Sequence, residues 1–165
     1  MLERLWAGWR TEYVETADAQ LEAGGCVFCR ILDSGLPDEE TYVLWRGEHS
    51  FVILNAYPYT SGHLMVMPLR HVSELDELTD EEADELFRVL RRAVRAVKDA
   101  YDPGGFNVGA NLGRAAGAGI PGHLHLHVLP RWAGDTNFMT SIAETRVLPE
   151  SLAATWKKLR EAWGE

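Results

Sequence analysis

Gly122-His123-Leu124-His125-Leu126-His127-Val128-Leu129-Pro130 places half of the chain's six histidines in strict alternation with apolar residues. A period of two marks a strand with one buried face. The pattern predicts a strand over 122–130, with Leu124, Leu126 and Val128 turned into a core. The three imidazoles then project from the opposite side, about 6.6 Å apart at the rise of an extended chain. Imidazoles in such a row can bind a metal, attack an electrophile or move protons near neutral pH.

The segment that leads into this strand, Gly113 to Gly122, holds four glycines and three alanines. Bare amides in such a loop can cradle an anion. A plain flexible turn has the same composition, and the adjoining histidines tilt the reading toward phosphate. Further upstream, Tyr42–Trp45, Phe51–Leu54 and His63–Met67 read as short strands. Thr79-Asp80-Glu81-Glu82 forms a capping box. Leu86, Phe87, Leu90, Val94, Val97 and Tyr101 then recur at helical spacing until Asp102-Pro103-Gly104-Gly105. Acids fill the first turns of this helix and bases the later ones, as its dipole favours. Phe106–Asn111 reads as a strand and 150–163 as a terminal helix. Short connections between strands imply an antiparallel sheet, so the fold class is α+β, with one long helix and a C-terminal helix.

At 165 residues one domain over 1–165 is expected, with a leader at 1–22 that carries Trp6 and Trp9 and an extension at 139–165. The net charge of −9 argues against sequence-independent nucleic-acid binding, which runs on basic patches. No secretory signal is legible, and no stretch nears the ~20 apolar residues of a membrane span. A cytoplasmic protein without a membrane partner is expected. Between Pro103 and Gly134 there is no acid, only Arg114 and Arg131. Such a stretch suits an anionic ligand, and equally a glycine loop followed by a buried strand.

Cys26-Val27-Phe28-Cys29 contains the only two cysteines. The spacing suggests a metal or redox pair, or two buried thiols acting as small hydrophobes. A structural zinc needs four ligands, and His71 and His123 are the best candidates to complete the set. His49 sits in a polar turn and reads as solvated. His63 opens a strand and reads as structural, bonded to a backbone group.

His123 to Leu129 and the stretch Asn55-Ala-Tyr-Pro-Tyr-Thr-Ser-Gly-His-Leu-Met-Val-Met-Pro-Leu-Arg-His71 resemble the histidine triad (HIT) family of nucleotide hydrolases and transferases. The resemblance runs from about Cys26 to Asp135. Pro130-Arg131-Trp132-Ala133-Gly134-Asp135-Thr136-Asn137-Phe138, and Leu5-Trp6-Ala7-Gly8-Trp9-Arg10, are similar to its diadenosine polyphosphate hydrolase or phosphorylase branch. The resemblance implies that His125 attacks the α-phosphorus of a nucleotide and forms a covalent nucleotidyl-imidazole. His127 is implied to contact phosphate oxygens, and His123 to hold the site in shape as a zinc ligand beside Cys26, Cys29 and His71. Asn55 matches the ribose-binding position and Asn111 an amide near the phosphates. Phe28, Ile31 and Ile53 are implied to line the base slot, and the amides of Gly119 and Gly122 to face phosphoryl oxygens. Arg114 or Arg131 is placed to assist a second nucleotide or a longer phosphate chain. An edge-to-edge homodimer is also implied.

One position departs from many relatives. Ile120 stands where they carry a hydroxyl residue, so help for an amine leaving group is missing. That favours a dinucleoside polyphosphate of the diadenosine tetraphosphate kind over a phosphoramidate. The alternatives are a nucleoside phosphoramidase-like hydrolase, an enzyme with all three histidines on one catalytic metal, and a non-catalytic nucleotide-binding protein. Three such positions on one strand spread over ~13 Å, too far to converge on one ion without strain.

Overall fold

The structure is a computed structural model that describes residues 25–135 and 149–164. The leader at 1–22, with Trp6 and Trp9, lies outside these residues, as do Thr136 to Phe138. Five antiparallel strands, β1 (Val43–Arg46), β2 (Ser50–Leu54), β3 (Leu64–Pro68), β4 (Gly105–Gly109) and β5 (Leu126–Arg131), form one sheet in the order β1-β2-β3-β5-β4. The helices are α1 (Val27–Asp33), α2 (Asp38–Thr41), α3 (Asp80–Tyr101) and α4 (Leu152–Trp163).

The central strands β2 and β3 are buried at every residue. Their side chains alternate between two apolar layers, because successive residues point to opposite faces. Val52, Leu54, Leu64 and Val66 pack with Leu86, Val89, Leu90, Ala93 and Val97 of α3 and with Leu159 and Trp163 of α4. Phe51, Ile53, Met65 and Met67 face the other way and pack with Phe28 and Ile31 of α1. Burial of both faces explains why these strands read as continuous apolar runs.

α3 starts where the capping box places it. Thr79 accepts from the Glu82 amide, and the Glu82 carboxylate accepts from the Thr79 amide. Arg70, just past β3, donates to both Glu82 oxygens at 2.8 and 2.7 Å, which ties the exit of the strand to the start of the helix. Arg70 and the Thr79 amide hold the Glu82 carboxyl down to about 2. The helical periodicity differs from its expected face at Phe87, which is 62% exposed.

β5 is shorter at its start than the alternation predicts. Pairing with β3 runs Leu64↔Val128, Met65↔His127, Val66↔Leu126 and then stops. Past Met67, the next hydrogen-bonding position in this register is Pro68, opposite Leu124, and proline has no amide to donate. Its carbonyl accepts instead from His123 Nε2 at 2.9 Å. Leu124 leaves the ladder and donates its amide to Val72 O at 2.7 Å. His123 and His125 therefore stand on a segment leading into β5, not on the strand. β4 likewise ends at Gly109, so Asn111 lies in the loop that follows it.

Candidate active site and metal centre

His127 is paired with Met65, on the sheet face that carries Phe51, Ile53 and Met67. The candidate site thus lies opposite α3. The His125 and His127 rings have centroids 5.0 Å apart. Phe28 touches both neighbours of the row, 5.6 Å from the His123 ring and 5.9 Å from that of His125. The spread-out row of an ideal strand is replaced by rings closer than its rise allows.

Hydrogen-bond partners fix what each ring nitrogen can do. His125 Nδ1 lies 2.7 Å from the His123 carbonyl oxygen. A carbonyl only accepts, so Nδ1 carries the proton and Nε2 keeps its lone pair. The Tyr59 amide donates to His63 Nδ1 at 3.1 Å. The proton of neutral His63 is then on Nε2, 2.9 Å from His127 Nδ1. His127 Nδ1 accepts it, which leaves His127 with its own proton on Nε2. Burial, and then the neighbouring His125, push the His127 imidazole down to about 4. Burial also lowers His125, against its bond to the His123 carbonyl. At neutral pH the pair is a nucleophilic nitrogen beside a neutral N–H donor.

His63 is the functional residue that sequence reading undervalues. Its expected bond to a backbone group is present, but its other nitrogen sets the tautomer of His127. Only 1% exposed, it is reached through a turn that needs Gly62 at φ +80°. A Cβ at that glycine would lie 3.1 Å from the Tyr101 ring.

Asn55 directly follows β2, and its Oδ1 accepts from the Tyr57 amide at 2.9 Å. Its Nδ2 is 3.4 Å from His63 Nδ1. One Oδ1 lone pair and one amide hydrogen remain for a ribose hydroxyl. Phe28, Ile31 and Ile53 come together in one apolar cluster, joined by Ile120, so the position lacking a hydroxyl is packed in hydrocarbon. Gly119, Gly122 and Asn111 lie together in the loop before the histidines, with Gly122 beside the His71 ring. Arg131 is engaged elsewhere. Its Nε and Nη2 donate to the Asp135 carboxylate at 2.6 and 2.8 Å, and Nη1 donates to Asn107 at 2.7 Å. Asp135 thus matches the charge that the sequence reading offered to a phosphate chain.

Cys26, Cys29, His71 and His123 converge with all donor atoms within 4.8 Å of one another. Cys26 Sγ is 3.4 Å from His123 Nδ1, Cys29 Sγ 3.5 Å from His71 Nδ1, and Cys29 Sγ 3.8 Å from His123 Nδ1. Tetrahedral bonds of about 2.3 Å to sulfur and 2.05 Å to nitrogen put such donors about 3.6 Å apart. His123 Nε2 donates to Pro68 O, so its Nδ1 lone pair faces the sulfurs. Burial opposes charge on both thiols. Contact with the His123 ring and the amides at the start of α1 nevertheless bring Cys26 down to about 6. Burial and the Cys26 sulfur leave Cys29 up at about 11. A divalent ion is what lets both be thiolates. The donors fit a closed four-ligand metal site, and the expected ligands are the ones that meet.

Residues 37–134 match the family model of the HIT domain. The chain is 43% identical over 167 residues to the "AP-4-A phosphorylase" of Mycobacterium tuberculosis, covering 98% of this chain and 85% of that one. It is 33% identical over 116 residues to "Protein hit" of Bacillus subtilis, covering 70% and 77%. Among solved structures, a hypothetical histidine triad nucleotide-binding protein from Sulfolobus tokodaii superposes with a TM-score of 0.68 at 30% identity, over 84% of this chain and 91% of that one. A Zn-bound histidine triad family protein from Mycobacterium smegmatis gives 0.67 at 31% identity, over 84% and 92%.

Proposed function

This chain belongs to the histidine triad (HIT) family, and on that premise we propose that it cleaves dinucleoside polyphosphates of the diadenosine tetraphosphate kind by nucleotidyl transfer. The observation that carries the reading is the pair of tautomers at the site. His125 Nε2 has a free lone pair, and His127 Nε2 offers a proton beside it. His125 Nε2 attacks the α-phosphorus, a P–N bond forms, and the bond to the bridging oxygen breaks. The leaving group is a nucleoside triphosphate that departs as a stabilised anion. His127 donates to a phosphoryl oxygen, a contribution aimed at charge that grows in the transition state. The relative at 43% identity is named a phosphorylase, which supports inorganic phosphate as the second acceptor. Its oxygen then attacks the same phosphorus, the P–N bond breaks, and a nucleoside diphosphate leaves with His125 restored.

The adenine lies against Phe28, Ile31 and Ile53, and the ribose reaches Asn55. Asn111 and the amides of Gly119 and Gly122 face the phosphates. Ile120, half-buried against apolar neighbours, gives no hydroxyl to an amine leaving group and disfavours the phosphoramidase alternative. The Cys26-Cys29-His71-His123 set holds zinc. All four positions are protein donors, so the ion's part is structural. Free thiols at a metal site suit a reducing, cytoplasmic setting. No helix among the described residues is long and apolar enough to cross a membrane.

A homodimer forms through β4. The outer edge of β1 is covered, because Trp156 Nε1 of α4 donates to Val43 O and α2 packs beside it. Among the described residues the β4 edge is open, with Val108 47% exposed, next to a groove of about 580 Å3 against α3 that Phe87 and Val94 also line. An open edge with apolar side chains is a template for a second strand.

The test is one assay: diadenosine tetraphosphate with and without inorganic phosphate, products resolved by mass. ATP plus ADP in phosphate, and an adenylyl adduct on the intact chain that His125→Ala abolishes, are the expected results. Turnover by His125→Ala at the wild-type rate, or cleavage of purine phosphoramidates alone, sinks the reading.

A further inference from the structure

The metal site and the apolar slot share one short helix. α1 has seven residues, well under the roughly 12–15 that an isolated helix needs in water. Cys26 is its N-cap residue and makes no side-chain capping bond, and Phe28 is its only buried side chain. Two of the four metal donors, Cys26 and Cys29, flank that phenylalanine. The other two, His71 and His123, come from the segments after β3 and before β5. An ion at this site therefore crosslinks α1 to two distant parts of the chain, and adds to the apolar packing of Val27, Phe28, Ile31 and Leu32 that is the helix's other fastening.

The phosphate-facing groups are held differently. His127 is oriented by His63, and His63 by the Tyr59 amide. His123 is fully buried and keeps its Nε2 bond to Pro68 O whatever its Nδ1 binds. Its carbonyl, which orients His125, is therefore anchored without the metal.

We propose that the ion bound by Cys26, Cys29, His71 and His123 is a specificity device: it fixes α1 as the wall of the base slot and so sets recognition of the nucleobase. This rests on the nucleotide reading above. Ion loss lets Phe28 and Ile31 move away from Ile53, while the phosphate subsite stays assembled. Affinity for the base falls and affinity for a baseless sugar phosphate does not.

The experiment uses the full chain, zinc-loaded and zinc-stripped under reducing conditions, with His71→Ala as a second route because that ligand is the exposed one. AMP and ribose 5-phosphate are titrated calorimetrically, and hydrogen exchange is followed over residues 27–33 and in β2 and β3. The expected result is that stripping weakens AMP by at least about tenfold. Ribose 5-phosphate stays within about twofold, and α1 alone loses protection. Equal weakening of both ligands, unchanged AMP affinity, or an α1 that keeps its protection overturns the proposal. If the zinc-loaded chain binds neither ligand, the nucleotide reading itself falls and the proposal with it.

Discussion

Replacing His63 with leucine tests whether a residue outside the triad sets the chemistry of one inside it. The side chain is 1% exposed, and leucine fills most of its volume with hydrocarbon. Three bonds disappear: those accepted at Nδ1 from the Tyr59 amide and from Asn55 Nδ2, and the one donated to His127 Nδ1. The Tyr59 amide and His127 Nδ1 lose their partners at about 1–3 kcal/mol apiece and the longer Asn55 contact adds little, so the fold should lose about 2–6 kcal/mol. In activity the consequence is separate. His127 Nδ1 no longer has a donor, so the ring is free to carry its proton there and lose the donor at Nε2. Removing one preorganised donor to a developing oxyanion costs about 10²–10³ in kcat, and misorienting it should cost somewhat less, about 10–10². Denaturant unfolding gives the first number, and steady-state cleavage of diadenosine tetraphosphate below the unfolding transition gives the second. Nitrogen-15 shifts of the His127 ring report the tautomer directly. His63→Gln, whose amide can still donate, should recover part of kcat. A folded His63→Leu protein with wild-type kcat and an unchanged His127 tautomer refutes the relay.

Three further outcomes follow from the same geometry. The folded protein holds His127 down to about 4 while the unfolded chain protonates near 6.5. The unfolded state thus binds the extra proton between those values, and stability is full above pH 6.5 and falls toward pH 4. The loss between pH 7 and pH 5 is about 2 kcal/mol, and His127→Gln should flatten that part of a guanidinium-derived profile. Glu82→Ala removes both the capping box and the anchor for Arg70. It should lower stability by roughly 1–2 kcal/mol in chemical unfolding, and an unchanged midpoint counts against the tie between β3 and α3. Val108→Lys places a charge on the open β4 edge and should shift sedimentation from dimer to monomer, whereas an intact dimer places the interface elsewhere.

Much of this was legible in the residues themselves. The capping box fixes the start of α3 because both of its bonds are local. The pair Cys26 and Cys29 with His71 and His123 was legible because metal chemistry demands four soft or borderline donors, and few others exist in this chain. His63 was not, since a lone histidine at the mouth of a strand carries no sign of a partner 64 residues away. The start of β5 was misjudged because alternation in Gly122–Pro130 is a property of one strand, while the ladder depends on the partner. Pro68 decides it, and its effect appears only once the register with β3 is known. Arg131 looked available to phosphate because an acid four residues later in a loop has no fixed geometry in sequence.

The early end of the β3–β5 ladder divides the site mechanically. His127 is set in the sheet, as rigid as the five strands around it. His125 hangs on a short span moored by one amide at Leu124 and by side chains. A nucleophile that must follow a phosphorus atom as it inverts twice has been mounted on the compliant side of that boundary, and the group that stays put has been mounted on the stiff one.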